Sequence, residues 1–265
     1  MKNLTDQEIK NELVNMMIQL QDFLKENNIK YSITSGTLLG AVRHQGFIPW
    51  DDDIDISMLR PEYNKLINLL KQNNSINNNL KGFGFELGNG YLPYIKIINP
   101  KIISEETVFE DIVDKGNLWI DIFPMDGIPN LFSKLYTKYI FKFQRKIYDL
   151  KRISIEFPAM FEKQKKPKLL FFIKNLSYKT ITKQYIKKCS RFNVNNCKFV
   201  SDYTWGNTII PRKMMENLKA YNFENTTFMG IENSDGYLSK LYGDYMELPP
   251  VEKRINHGLK AWYVD

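Results

Sequence analysis

Apolar residues recur every three or four positions from Ile9 to Leu24, taking in Leu13, Met16, Met17, Leu20 and Phe23. That spacing predicts an amphipathic helix over residues 5–27. Thr5 and Glu8 stand at capping-box spacing at its start, and Asn27-Asn28 end it. The two methionines read either as a soft binding surface or as ordinary core. Tyr31 to Thr34 reads as a short strand and Thr37 to Arg43 as a short helix. The period then changes to two: in Asp53-Ile54-Asp55-Ile56 polar and apolar residues alternate, as on a strand with one face buried. Pro61 suits the first turn of a helix running to about Gln72, and Asn73 to Asn79 reads as a surface loop. Phe83 to Leu87, Tyr94 to Ile98 and Leu118 to Phe123 read as strands. The resulting class is α+β, a mixed sheet core flanked by helices.

The pattern changes again past residue 130. Leu131 to Phe157 and Lys168 to Phe192 read as helices, broken by Pro158 and Pro167. Residues 134–191 hold 17 of the 37 Lys and Arg but 3 of the 30 Asp and Glu, a net of +14 against −7 for the remainder. A basic helical insert, about 131–192, thus interrupts an acidic core of 28–127 plus 199–257, and the whole reads as one domain. Tyr136, Tyr139, Phe141, Phe143, Tyr148, Phe171, Phe172, Tyr178 and Tyr185 are interleaved with its lysines. They suit an anionic membrane or a lipid-linked glycan, or equally a solvated helix pair packed on the core. Nucleic acid is disfavoured, because no reader motif is present. A 43% hydrophobic content excludes a disordered chain. Cys189 and Cys197 lack metal-ligand spacing and read as free thiols of a reducing compartment. The N-terminus has no apolar signal core, and the longest apolar run, Leu169 to Ile173, is far too short to span a bilayer. The expected location is cytoplasmic, with any membrane contact peripheral.

Asp51, Asp52, Asp53 and Asp55 crowd four carboxylates into five positions. Without a counter-ion they repel and raise one another's pKa; Mg²⁺, or Mn²⁺, relieves this. Ser35 and Gly36, opening a helix, offer backbone N–H groups to a phosphate. Asp121, within the apolar run Leu118 to Phe123, reads as a third carboxylate from a neighbouring strand or as an edge residue capping the next turn. Asp126, before Gly127, reads as a turn residue. Lys96, a lone charge in an apolar strand, either pairs with substrate phosphate or snorkels from an exposed face.

Ser35-Gly36-Thr37-Leu38-Leu39-Gly40, Arg43, and Ile48 to Ile56 together resemble the signature of the LicD family of phosphocholine transferases, within the nucleotidyltransferase fold. Asp121 to Gly127 resembles a second motif of that family, and Ser239 to Pro250, with Arg254 and His257, its C-terminal block. The resemblance covers roughly residues 30–60, 90–127 and 237–257. It implies a Mg²⁺-dependent phosphotransferase that takes a phospho-alcohol from a CDP-alcohol, CDP-choline first among them, to a sugar hydroxyl of a cell-surface glycan such as lipopolysaccharide or teichoic acid, with CMP leaving. Ribitol, glycerol and ethanolamine donors use the same chemistry. Asp53, Asp55 and Asp121 then hold metal and carry catalysis. Ser35, Gly36, Thr37, Arg43 and Lys96 face the donor's phosphates. Trp50 or Trp119 offers a ring to the choline cation, although both read equally as core. Arg254 and His257 are phosphate donors, or a salt-bridged arginine and a surface histidine. Two rivals remain: a nucleotidyltransferase that leaves the nucleotide on its product, and a non-catalytic basic protein binding a membrane surface or RNA.

Overall fold

The computed structural model describes residues 3–73, 75–109, 112–130, 133–156, 175–204, 208–254 and 258–264. Helix α1 spans Asp6–Glu26, and both halves of its capping box form between Thr5 and Glu8. Met16 and Met17 are fully buried with Leu13 and Leu20, so the methionines are core. Strand β1 (Ser32–Ile33) leads into α2 (Ser35–His44), β2 (Asp55–Leu59) and α3 (Arg60–Asn73). A hairpin of β3 (Ser75–Ile76) and β4 (Leu80–Gly84) follows, then the long strands β5 (Ile95–Phe109) and β6 (Ile112–Ile128).

The insert follows β6. Its described residues form α4 (Ser133–Tyr139), a wider π turn (Ile140–Arg145), α5 (Lys146–Glu156) and α6 (Tyr178–Cys189). The chain returns through β7 (Phe199–Asp202), β8 (Ile209–Pro211), α7 (Arg212–Glu216), β9 (Leu218–Phe223), β10 (Thr226–Ile231), α8 (Ser234–Tyr242) and β11 (Lys260–Tyr263).

The described strands form one mixed sheet in the order β3-β4-β5-β6-β2-β1-β10-β9, with β11 on β5 and β7 linking β6 to β8. The α+β architecture is therefore present, with helices packed on the sheet. Strands returning from 199–231 complete the sheet that 32–128 begins. The register that matters is parallel: β2 lies beside β6 with Asp55 opposite Asp121 and Ile56 opposite Ile122. Paired residues on neighbouring strands share a face, so Ile54, Ile56, Ile120 and Ile122 enter the core while both carboxylates stand at one end of the sheet.

Four local expectations are corrected. The Asn-rich loop contains a hairpin, because Asn77 and Asn78 take the left-handed conformation of a tight turn, which Asn tolerates. The strand expected over 83–87 ends at Gly84 and becomes a 3₁₀ turn, Phe85–Leu87. Asp53 precedes β2 rather than lying on it. Asp126 is no turn residue: β6 continues to Ile128 because β7 pairs with it from Met125 onward, and Asp126 is fully buried.

In the insert, Ile128, Ile140, Tyr148, Ile181, Tyr185, Cys189 and Tyr203 form a second small core, with Tyr136 and Tyr178 packed against it. These tyrosines therefore pack inward, whereas Leu135, Tyr139 and Phe143 are exposed. Residues 157–174, with Pro158, Pro167, the apolar run 169–173 and the start of the second expected helix, lie outside the described residues. No helix among the described residues is long and apolar enough to cross a membrane. Both cysteines are buried and free.

Candidate active site

The four clustered aspartates take separate directions. Asp51 lies against the start of α2: a Cβ on Gly36 would sit 2.6 Å from its Oδ2. Glycine at 36 is therefore what lets a carboxylate approach the positive end of this helix. Asp52 turns toward the C-terminal segment, where its Oδ2 accepts from the Leu259 N–H at 3.4 Å. Asp53 lies close enough to Asp55 for its charge to act on that carboxyl. Asp55 is held by its backbone: its N–H donates to Thr37 Oγ1 at 2.8 Å, and its carbonyl accepts from the Thr34 N–H at 3.0 Å. The Thr37 hydroxyl thus positions Asp55 from a buried site.

Asp121 meets Asp55 across the parallel pair, and its carboxylate is unevenly served. Oδ2 accepts from the Trp119 indole N–H at 3.0 Å. Oδ1 is buried with no hydrogen-bond partner. The Lys96 ammonium lies 3.7 Å from Oδ1, an ion pair too long for a hydrogen bond. Lys96 stands opposite Asp121 on β5, and its ammonium also lies 3.8 Å from the centre of the Trp119 ring. Lys96 therefore neither snorkels to an exposed face nor stands alone.

The electrostatics follow from this crowding. Burial pushes the Asp55 carboxyl well above its ordinary value, and the charges of Asp53, Asp121, Asp51 and Asp202 push it further. Burial also raises Asp121, while the Lys96 ammonium and the Trp119 N–H pull it back. Among the described residues, no three His, Cys, Asp or Glu side chains are gathered closely enough to form a ready-made metal site. The donor set instead suits Mg²⁺, which is commonly held by one or two carboxylates, keeps several waters and is completed by substrate phosphates. The unbonded Asp121 Oδ1 and the mutual repulsion around Asp55 are the features such a cation would relieve.

At the start of α2, Ser35 lies in the left-handed region, φ 51°, which is rare for a non-glycine residue and clusters at functional sites. Its N–H donates to the Tyr237 hydroxyl at 3.4 Å. Burial pushes that phenol up to about 12, so it is neutral and serves as an acceptor. Arg43 and Arg254 lie near one another: burial and the Arg254 charge lower the Arg43 pKa. Arg43 donates to the Tyr245 carbonyl at 2.7 Å. Arg254 donates to the Pro249 carbonyl at 2.8 Å and stands over the Trp50 ring at 5.2 Å. Each candidate tryptophan thus already carries an internal cation beside one face. His257 lies outside the described residues.

Three tertiary features, two at the site and one on the opposite face of β6, had no local signal. Asp202, from β7, adds charge to Asp55 and accepts from the Thr204 N–H and hydroxyl at 2.7 and 2.6 Å. Tyr237 reaches Ser35 from 202 residues away. The third is an Arg60–Asp126 pair, two bonds of 2.7 Å each, both side chains buried. A mixed Ser-Asp-Tyr-Thr string, a tyrosine on an amphipathic helix and an arginine before a proline are ordinary sequence features.

The family described as LicD/FKTN/FKRP, nucleotidyltransferase domain, matches residues 28–153, which include Asp53, Asp55, Lys96 and Asp121. The lipopolysaccharide cholinephosphotransferase LicD of Haemophilus influenzae is 27% identical over the full length of both chains. Over residues 28–153 the chain is similar to this family, and over its full length to that relative. Shorter similarity, 52% identity across 23% of each chain, links this chain to an uncharacterized protein of Rickettsia prowazekii. A Rickettsia typhi protein, also uncharacterized, is 56% identical over 50 residues, 19% of this chain and 16% of its own. The matched LicD region ends inside the insert, at α5, so the residues that close the site from β7 and α8 lie beyond it.

Proposed function

We propose that this protein transfers a phospho-alcohol, phosphocholine first, from a CDP-alcohol to a sugar hydroxyl of a cell-surface glycan or its lipid-linked precursor. The observation that carries this reading is Asp55 and Asp121 in register at one end of the sheet, with one buried oxygen left unbonded and Lys96 beside it. The Haemophilus influenzae relative, a lipopolysaccharide cholinephosphotransferase, supports the choline and glycan assignments.

In this reading the acceptor hydroxyl oxygen attacks the phosphorus bearing the alcohol. The phosphoanhydride bond breaks, its electron pair leaves with CMP, and the hydroxyl proton passes to Asp121. A carboxylate whose proton affinity is raised by burial suits that role. Asp53 and Asp55 would hold Mg²⁺ or Mn²⁺, which would neutralise the diphosphate and stabilise the departing phosphate when bound; in the alternative form of this reading Asp121 completes the metal site instead of taking the proton. Lys96 adds a fixed positive charge. The first turn of α2, from Ser35 and Gly36, offers N–H groups to phosphate oxygens once Asp51 yields its place. Because Lys96 and Arg254 stand beside one face of Trp119 and of Trp50, a choline cation has only the opposite faces to use. Exposed Leu135, Tyr139 and Phe143, next to Lys138 and Lys142, support peripheral contact with an anionic membrane.

Incubation with CDP-choline and Mg²⁺ should release CMP, with turnover lost in Asp55→Asn. Pyrophosphate release from CTP without CMP release from any CDP-alcohol would instead assign a nucleotidyltransferase. Wild-type turnover in Asp55→Asn would refute the assigned site.

A further inference from the structure

Beside the acidic residues, the same face of the sheet opens into a cleft of about 230 Å³. Lys96 and Trp119, which both contact Asp121, line it together with Phe83, Tyr91, Ser104 and Asn117. Phe83 stands opposite Lys96 on β4, so the aromatic and charged positions run across three strands on one face. We propose that this cleft receives the acceptor, as one neutral or anionic sugar ring whose reacting hydroxyl points toward Asp121; the proposal rests on the transferase reading above.

Four observations carry it. First, aromatic rings with a few placed polar groups are the usual lining of a small-molecule site, and sugars present both apolar faces and hydroxyls. Second, the Ser104 hydroxyl is 1% exposed and has no hydrogen-bond partner. Buried polar side chains seldom lack one, and a sugar hydroxyl would supply it. Third, the Lys96 ammonium lies 3.8 Å from the Trp119 ring centre at the boundary with the acidic residues. It occupies a Trp119 face that a choline cation would use, and with Glu106 and Lys115 also in the lining the cleft is of mixed charge, so it suits a sugar acceptor rather than the donor's alcohol. Fourth, the cleft is smaller than the roughly 300–1,000 Å³ of sites that enclose a drug-sized ligand. It fits one ring of a longer glycan, and exposed Lys115 and Gly116 at its edge leave the remainder in solvent.

The test separates use of water from use of sugar. Full-length protein is given CDP-choline and Mg²⁺, with and without de-O-acylated lipopolysaccharide. Phe83→Trp, which fills the cleft, should lower transfer to the oligosaccharide tenfold or more, while CMP release to water and donor KM stay within twofold of wild type. Ser104→Ala should raise acceptor KM at least threefold with an unchanged or higher Tm, since it removes a hydroxyl that has no partner. Equal loss of hydrolysis and transfer in Phe83→Trp, or unchanged transfer in both variants, would overturn the assignment. Absence of CMP release by the wild type defeats the transferase reading itself. In that case, or if wild type releases CMP without transfer, calorimetric titration of the same oligosaccharide decides: binding lost in Phe83→Trp sustains the subsite, and no binding to wild type ends it.

Discussion

Asp121 and Asp126 lie five residues apart on one strand and have opposite fates. Five is an odd number of residues, so the two side chains leave opposite faces of the sheet. Asp126 points toward α3, where Arg60 grips both of its oxygens at 2.7 Å and Glu86 approaches the same guanidinium at 3.4 Å. Burial pushes its carboxyl up and the Arg60 charge pulls it back. Asp121 lies on the other face, beside the cleft residues Lys96 and Trp119, with one buried oxygen unbonded and an ammonium too distant for a hydrogen bond. The contrast separates structure from site: a buried carboxylate with both oxygens bonded holds the fold, whereas one left short of partners is available to a proton, a cation or a substrate.

Exchanging the two residues' roles gives the largest expected effect. Asp126→Asn leaves the buried Arg60 with only the more distant Glu86 as counter-ion and should cost roughly 3 kcal/mol of stability. The apolar double replacement Arg60→Met/Asp126→Leu should recover much of that. Asp121→Asn should leave the melting temperature near wild type while lowering transfer by about 10²–10⁴-fold. Thermal melts beside CMP release measure both, and a stable Asp126→Asn or a fully active Asp121→Asn would erase the distinction.

The next effect concerns pH. The folded-state pKa of Asp55 lies above its ordinary value, so folding strengthens its hold on a proton. Without metal, its contribution to stability is complete below the ordinary carboxylate range and is lost as pH rises through the raised value. Asp55→Asn should flatten that decline, and Mg²⁺ should stabilise the wild type more on the alkaline side than on the acidic side. Melting temperature against pH, in chelator and in Mg²⁺, reads both. A metal response that is the same at every pH would contradict it.

The smallest effect is at the helix start. Gly36→Ala places a methyl where Asp51 now rests. The carboxylate is the end of a side chain and can swing aside, so stability should change little. Donor KM should rise severalfold with acceptor KM unchanged, as steady-state kinetics in each substrate would show.

Much of the site was legible because its signals are local. The capping box at Thr5, the helix at Thr37 and the alternation from Asp53 to Ile56 depend on neighbours a few residues away. Asp121 was readable as one of two alternatives, and the motif resemblance favoured the functional one. Asp126 was misread because a glycine after an aspartate signals a turn, and nothing nearby announces that β7, some 75 residues on, will pair with it.

The sequence by itself determined the first helices, the strands carrying Asp55 and Asp121, the acidic stretch and the charge division between core and insert, since each is written in composition and periodicity. Only the tertiary structure decided which acids meet. The parallel register of β2 on β6 sets Asp55 beside Asp121, and β7 brings in the charge of Asp202. The face of the strand gives Arg60 to Asp126 and leaves Asp121 beside Lys96 and Trp119. Those outcomes depend on which strands become neighbours and in what register, and long-range pairing is fixed by burial of the whole sheet rather than by any short stretch of chain.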